Sequence, residues 1–469
     1  MKIVILGAGQ VGGALADSLA SEKIDITLVD RESQRLRDLQ DRLDIRTVEG
    51  HAAHPRILRQ AGIEDADMLI AVTGVDEVNM VACQIAHSLY HTPTKICRIR
   101  ANGYVEQKDL FRNDAIPVDV IISPEQLVTE HITGLLKYPG ALQVLNFADG
   151  LAQLIGIRAQ AGDKFIGETL YDIRNMTPKQ DVRVAAIFRG GRAIKPERST
   201  EIEPLDEVFY IAATQNIRPV MRELGQLNRP YTRIMLAGGG NMGMRLAKAI
   251  EHHYSVKVIE PNIARAEFLS EQLNEAIVLC GNASDSDLLQ NENIDAIDVF
   301  IALTDDDEAN IMSSLLAKKM GARKVITLIA NPAYIDLVQG NEIDIAFSPQ
   351  TVSIGAILQH VRRGDMARVH SLRRGAAEAL EAIAHGDSSS SVVVGRRIDE
   401  IDLPPGTTIG AIVRGEEVII AKSGKPAVRL VPCKPSKKRV FGKLKGKINL
   451  SDNFDAKNVS DELAEEFGL

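Results

Sequence analysis

Cysteine is scarce in this chain of 469 residues: Cys83, Cys97, Cys280 and Cys433 are all it has, and no two stand in a C-x-x-C spacing. That excludes a zinc knuckle or a redox pair and leaves isolated thiols of a reducing compartment. No apolar run approaches 18 residues, so no segment is expected to span a membrane. Any membrane role has to come through a partner. The chain opens on a strand-like run rather than a leader. Net positive charge is also missing. The formal charge is −8, which argues against nucleic acid as a partner. At roughly 100–200 residues per domain, the length calls for about three or four units.

What is present is a repeat. "KIVILGAGQVGGALA" starts at Lys2 and "RIMLAGGGNMGMRLA" at Arg233. Each places a short apolar run before G-x-G-x-x-G and a helix-like run after it. Gly7, Gly9 and Gly12 recur 231 residues later as Gly238, Gly240 and Gly243. "ADMLIAVTGVDEVNM" recurs as "IDVFIALTDDDEANI", which puts Thr73 on Thr304, Asp76 on Asp307 and Asn79 on Asn310. Self-similarity of this length means a duplicated domain. In the first copy the strands read KIVILG, DITLV, RTVEG, MLIAVT and KICRIR, with helices between them. Apolar strands alternating with helices make a doubly wound parallel sheet. The fold class expected is therefore α/β, with two Rossmann-type domains at 1–135 and 232–360. A small α+β module follows each. The first, 140–226, reads as a hairpin turning at Gly190-Gly191, a further strand and a closing helix. The second is expected at 368–432, where "VVGRRIDEIDLPPGTTIGAIVRGEEVIIA" tracks the first, and a charged tail at 433–469.

The glycines have separate tasks: a tight turn, close approach of a pyrophosphate, and helix–strand packing. The anion sits on free N–H groups at the helix N-terminus. Asp30 ends the second strand about 20 residues on, where an acid contacts a ribose diol and repels a 2′-phosphate. An adenosine ligand such as NAD(H) is thus favoured over NADP. Glu260 holds the same place in copy two, and Met242 replaces Val11. Thr73 and Gly74 follow the fourth strand, at the edge where such sheets bind ligands. Arg98 and Arg100, two residues apart, are expected to leave the next strand side by side, one of them placed for phosphate. Their counterparts are taken to be Ile329 and Asn331, so the two sites should differ in affinity for a phosphate-rich ligand. No general base declares itself. His51, His54, His87 and His91 read as surface or helix residues, no metal site is evident, and no catalytic domain faces the glycine loops.

The A–B–A′–B′ order, "ILGAGQVG", "GHAAHP", "ICRIR", "IPVD" with "ISPE", and "SLRRGAAEALEAIAHGD" together resemble the TrkA family, from residue 1 to about 421. The resemblance implies RCK N-terminal domains for the A units and RCK C-terminal domains for the B units. It implies a cytoplasmic, non-enzymatic subunit, peripheral on the inner membrane face. Such subunits form a homo-oligomeric ring, a tetramer, under a TrkH- or TrkG-type potassium-translocating subunit, gated by NAD(H) or ATP/ADP. Carried over by motif, the first nucleotide site is Gly7, Ala8, Gly9, Gln10 and Val11 with Asp30, Thr73, Gly74 and Arg98. The second is Gly238, Gly239, Gly240, Asn241 and Met242 with Glu260 and Thr304. The rival reading is an NAD-dependent oxidoreductase. From about Gly415 the chain departs from the family pattern. "GEEVIIAKSGKPAVRLVP" and "GKLKGKINLSDNFD" resemble the C-terminal, toxin-wrapping part of a Phd/YefM-type antitoxin. Six cations between Lys437 and Lys447, then an acidic end, read as a tail that folds only on a partner.

Overall fold

A computed structural model describes residues 1–20, 24–176, 181–224, 229–338, 343–361, 366–372, 377–384, 409–414 and 417–420, with isolated residues between 391 and 407. Strands β1 (Lys2–Leu6), β2 (Asp25–Asp30), β3 (Arg46–Glu49), β4 (Met68–Ala71), β5 (Thr94–Arg98) and β6 (Val120–Ile122) form one sheet in the order β3-β2-β1-β4-β5-β6. All neighbours run parallel. The cause is visible in β1 and β4, each with four consecutive buried residues. Unbroken apolar runs belong to strands covered on both faces, not to half-exposed antiparallel ones. The winding direction reverses between β1 and β4, and that opens a crevice at their carboxyl ends. β6 goes beyond the five strands read from the sequence. It is only three residues long, too short to show a period.

The next sheet is antiparallel: β7 (Ala141–Phe147), β8 (Ala152–Arg158), β9 (Val182–Arg189), β10 (Arg192–Ile194) and β11 (Glu207–Ala213), ordered β10-β9-β11-β8-β7. The hairpin at Gly190-Gly191 has both glycines at positive φ, and the closing helix is Thr214–Glu223. β7 and β8 are the part that the sequence reading left out. The second parallel sheet repeats the first: β12 (Arg233–Ala237), β13 (Ser255–Glu260), β14 (Ile277–Cys280), β15 (Val299–Ala302), β16 (Lys324–Leu328) and β17 (Ile345–Phe347), ordered β14-β13-β12-β15-β16-β17. Two hairpins follow, β18 (Met366–Leu372) with β19 (Ala377–Ala382) and β20 (Ala411–Arg414) with β21 (Glu417–Ile420). The expected tail at 433–469 lies outside the described residues.

The halves exchange helices. Pro124–Lys137 follows the first sheet, yet its Val128, Ile132, Leu135 and Leu136 are buried with Leu246, Ala247 and Ile250 of the second half. Pro349–Val361 follows the second sheet, yet Ile357, Leu358 and Val361 are buried with Leu15 and Leu19 of the first. Each such side chain is worth about 1.5–3 kcal/mol when fully buried. The exchange therefore ties the two halves into one cooperative body.

A buried lysine marks the seam between the first antiparallel sheet and the second parallel one. Lys324 Nζ donates to Ala141 O at 2.9 Å. Burial, opposed by Asp344, lowers its pKa to about 8. Unfolded lysine titrates near 10.4. Between those values the unfolded chain holds more protons, so stability rises with pH across that window, and the cost of burying the charge is fully present below it. Between pH 7 and pH 9, wild type is expected to gain about 1 kcal/mol on Lys324→Met in urea unfolding. An identical pH response in both proteins would refute this reading of the seam.

Candidate functional site

The crevice between β1 and β4 contains a cavity of about 670 Å³. Gly7 follows β1 at φ 104°, and its N–H donates to Val29 O at 2.8 Å. A Cβ built on Gly7 would meet the Thr73 backbone at 3.1 Å, and one on Gly12 would sit 1.9 Å from Gly7 O. The loop is therefore closed by contacts that only glycine permits. The helix Gln10–Ala20 starts at once, with Gly13 N–H on Gly9 O at 2.8 Å. Its earlier N–H groups have no intrahelical acceptor and are available to an anion in the cavity.

Of the residues expected at site one, Gly7, Gly9, Gln10, Val11, Asp30, Thr73, Gly74 and Arg98 line this cavity. Ala8 differs. Its side chain is buried in the core, and its N–H donates to Asp30 Oδ2 at 2.6 Å. Asp30 Oδ1 accepts from Glu32 N at 2.9 Å. One carboxylate thus clasps the glycine loop to the next turn, and a carboxylate's remaining lone pairs are enough for a diol.

The far wall is built around a residue the sequence reading gave no role. Asn79 is fully buried. Its Oδ1 accepts from Thr73 N at 2.9 Å and from Thr73 Oγ1 at 2.7 Å. Its Nδ2 donates to Thr73 O at 3.2 Å and Arg98 O at 3.0 Å. The Thr73 N–H and hydroxyl proton are therefore committed to Asn79, and what Thr73 offers a ligand is its methyl group and a hydroxyl lone pair. Arg98 Nη2 donates to Thr73 O at 2.9 Å, while its buried Nε has no partner. Burial, then the neighbouring Arg100, lowers the Arg98 pKa, against the pull of Glu125 and Asp76. A guanidinium in that state is improved by an anion.

Arg100 does not share this wall. β5 ends at Arg98, so strand alternation no longer orients the residues beyond it. Arg100 N donates to Asp76 Oδ2 at 2.9 Å, and Arg100 Nε pairs with the buried Glu125 at 3.0 Å. His51, read as a surface residue, does line the cavity, with Nδ1 accepting from Ala53 N at 3.2 Å. Arg35 lines it too, paired with Glu32 at 2.8 Å. Both follow loops whose course the sequence leaves open.

Site two repeats the frame. Gly238 has φ 107°, and a Cβ on Gly243 would lie 1.9 Å from Gly238 O. Glu260 accepts from Gly239 N at 2.8 Å and Asn262 N at 3.0 Å. Thr304 N and Oγ1 donate to Asn310 Oδ1 at 2.9 and 2.7 Å. The helix Asn241–Ile250 starts at Asn241, followed by Met242. The walls differ. The repeat slips by one residue before β16. Asn310 Nδ2 donates to Leu328 O where Asn79 reaches Arg98 O, and Asp307 takes the N–H groups of Ala330 and Asn331 where Asp76 takes those of Arg100 and Ala101. Arg98 therefore corresponds to Leu328 and Arg100 to Ala330, not to Ile329 and Asn331. The turn after β15 carries Asp305 and Asp306 in place of Gly74 and Val75. Arg265 Nε is spent on Gly239 O at 2.8 Å, its guanidinium 5.0 Å from the Phe268 ring centre. The predicted inequality of the sites keeps its physical basis: site two has no cation at the Arg98 position.

Among the described residues no cluster of histidine, cysteine and carboxylates is arranged to hold a metal ion, and no helix is long and apolar enough to cross a membrane.

Compared with known proteins, residues 3–124 and 234–349 match the TrkA-N domain family, and residues 154–225 match the TrkA-C domain family. The antitoxin likeness of the C-terminal stretch is not borne out by these matches. The chain is 60% identical over 421 residues to the Trk system potassium uptake protein TrkA of Halomonas elongata, covering 90% of this chain and 92% of that one. It is 58% identical over 422 residues to the protein of the same name from Vibrio alginolyticus, covering 90% and 92%. Among solved structures, the GsuK RCK domain matches with a TM-score of 0.60 at 19% identity, covering 92% of this chain and 90% of that one. The GsuK channel bound to NAD matches with a TM-score of 0.60 at 18% identity, covering 92% and 75%. At such identity the likeness is one of fold.

Proposed function

This chain belongs to the TrkA family, and from that premise we propose that it is a nucleotide-sensing regulatory subunit of a Trk-type potassium uptake system. The observation that carries the reading is the convergence, in one cavity, of the glycine loop, Asp30 and the incompletely partnered Arg98. Ribose at Asp30, phosphates on the helix N-terminus and charge on Arg98 describe NAD(H), ATP or ADP. The NAD in the GsuK channel structure fits this ligand class. The nucleotide acts as a signal. Asp30 is engaged by two backbone N–H groups, as a binding residue would be. The carry-over from the family supplies the remainder: a TrkH- or TrkG-type partner, a tetrameric ring, and a place on the cytoplasmic membrane face. It also gives a division into RCK units at 1–135, 140–226, 232–360 and 368–432. Ligand then shifts the ring between shapes by its differential affinity for them, with about 1–3 kcal/mol of coupling per site.

Calorimetric titration of ATP, ADP, NADH and NADPH into the full chain tests this. Wild type is expected to bind, NADPH more weakly than NADH, and Asp30→Ala to lose most of the affinity. Arg98→Ala removes one charged hydrogen-bond donor, about 1.5–3 kcal/mol, so ATP affinity should fall roughly tenfold to a hundredfold. Steady turnover of NADH with a carbonyl substrate would overturn the reading in favour of an oxidoreductase.

A further inference from the structure

The second half of the chain touches the rim of site one, through a hydrogen bond to Gln10. Gln350 is the second residue of the exchanged helix Pro349–Val361, which packs on the helix Gln10–Ala20. Its Nε2 donates to Gln10 Oε1 at 2.7 Å and to Ala330 O at 2.9 Å. Gln10 is the first residue of the glycine-loop helix, exposed and on the cavity wall. Ribose belongs at Asp30, and each further phosphate steps away from it along the helix N-terminus, towards Gln10.

We propose that Gln350 is a ligand-binding residue of site one, giving an amide N–H from the opposite half to the terminal phosphate of a nucleoside triphosphate. This rests on the reading of site one as a nucleotide site. Gln10 Oε1 is a neutral acceptor on an exposed side chain. A phosphate oxygen is a charged acceptor, which makes the shorter and stronger bond. Gln350 exchanges Gln10 for the phosphate and keeps its bond to Ala330. The amino ends of two helices meet at this point, and both favour negative charge. Ala330 N in turn donates to Asp307 Oδ1 at 2.7 Å, the first residue of the helix beyond Thr304. The terminal phosphate is thereby held between the two halves, whereas a monophosphate is held by the first half alone.

The reciprocal position gives an internal contrast. "ISPE" and "FSPQ" place Glu125 where the second half has Gln350. Glu125 is buried, with Oε1 on Arg100 at 3.0 Å and Oε2 without a partner. A carboxylate there, already paired with Arg100, has no N–H to give a phosphate. The device belongs to site one.

The test is titration of AMP, ADP and ATP into full-length wild type, Gln350→Ala and Gln350→Glu. Gln350→Ala should weaken ATP about fivefold to tenfold, the worth of one hydrogen bond, and leave AMP within about twofold. Gln350→Glu should weaken ATP by a further factor of about ten with AMP again unchanged, and the retained AMP binding certifies the fold. Equal losses for AMP and ATP, or an unchanged ATP-to-AMP ratio in both variants, would overturn the inference alone. Failure of wild type to bind any of the three would overturn the nucleotide reading of site one and this inference with it.

Discussion

Gly12→Ala is expected to remove nucleotide binding at site one, and Gly243→Ala to leave that site intact. The reason is steric and local. In each copy the added methyl would lie 1.9 Å from the carbonyl oxygen of the first loop glycine, Gly7 or Gly238. No rotamer relieves this, because the clash is between Cβ and backbone. The helix Gln10–Ala20 has to withdraw from the strand end, and with it go the N–H groups and the bond from Ala8 to Asp30. Overpacking of this kind costs about 1–3 kcal/mol. Since the displaced atoms are the anion site itself, the upper end applies, a factor of roughly one hundred in affinity. Gly243, whose added Cβ meets the same 1.9 Å clash in the other copy, is the matched control, since its loss of stability is similar and its effect on site one is nil. Calorimetry with ATP on wild type and the two variants decides the matter. If Gly12→Ala and Gly243→Ala bind equally well at site one, the close approach of helix and strand is not what builds the site.

That pair of glycines also shows what kind of information the sequence carries. Where geometry forbids every residue but one, the residue announces the geometry. Gly7, Gly12 and Asp30 could be read for this reason, and so could their copies. Asn79 could not. Its four hydrogen bonds go to Thr73 and Arg98, and an asparagine in the first turns of a helix reads equally well as a solvated residue. The slip of one residue before β16 was invisible for a related reason, since the aligned strings on either side match at neighbouring offsets. Only the hydrogen bonds from Asn310 to Leu328 O and from Ala330 N to Asp307 fix the register. The exchanged helices show a third limit. The apolar stripe Val128, Ile132 and Leu135 says that one face is buried, but not against which half. β7 and β8 went unread in the sequence, and β6 is only three residues long.

The second large effect is expected at Asn79. Asn79→Ala strips Thr73 N and Arg98 O of a side-chain partner in a fully buried place. Each orphaned buried group costs about 1–3 kcal/mol, so a loss of roughly 2–4 kcal/mol is expected in urea or thermal unfolding. Asn310→Ala should destabilise by a similar amount, because its bonds to Thr304 and Leu328 reproduce the same pattern at nearly the same lengths. The two variants part company in binding. Asn79 holds the strand end that carries Arg98 and the turn that carries Thr73 and Gly74, so its loss lets the cationic wall of site one relax. Asn310 holds a wall whose counterpart residue is Leu328. With ATP as ligand, Asn79→Ala should bind at least about tenfold more weakly than wild type, the worth of about 1.4 kcal/mol, while Asn310→Ala stays near wild type. Asn79→Asp refines the argument. It keeps the acceptor for Thr73 N and Oγ1 but sets an acceptor against Thr73 O and Arg98 O, so it should recover the Thr73 turn only in part and the strand end at Arg98 not at all. Equal losses of ATP affinity in Asn79→Ala and Asn310→Ala would mean that the asparagines act through global stability, and that the position of Arg98 is set by something else.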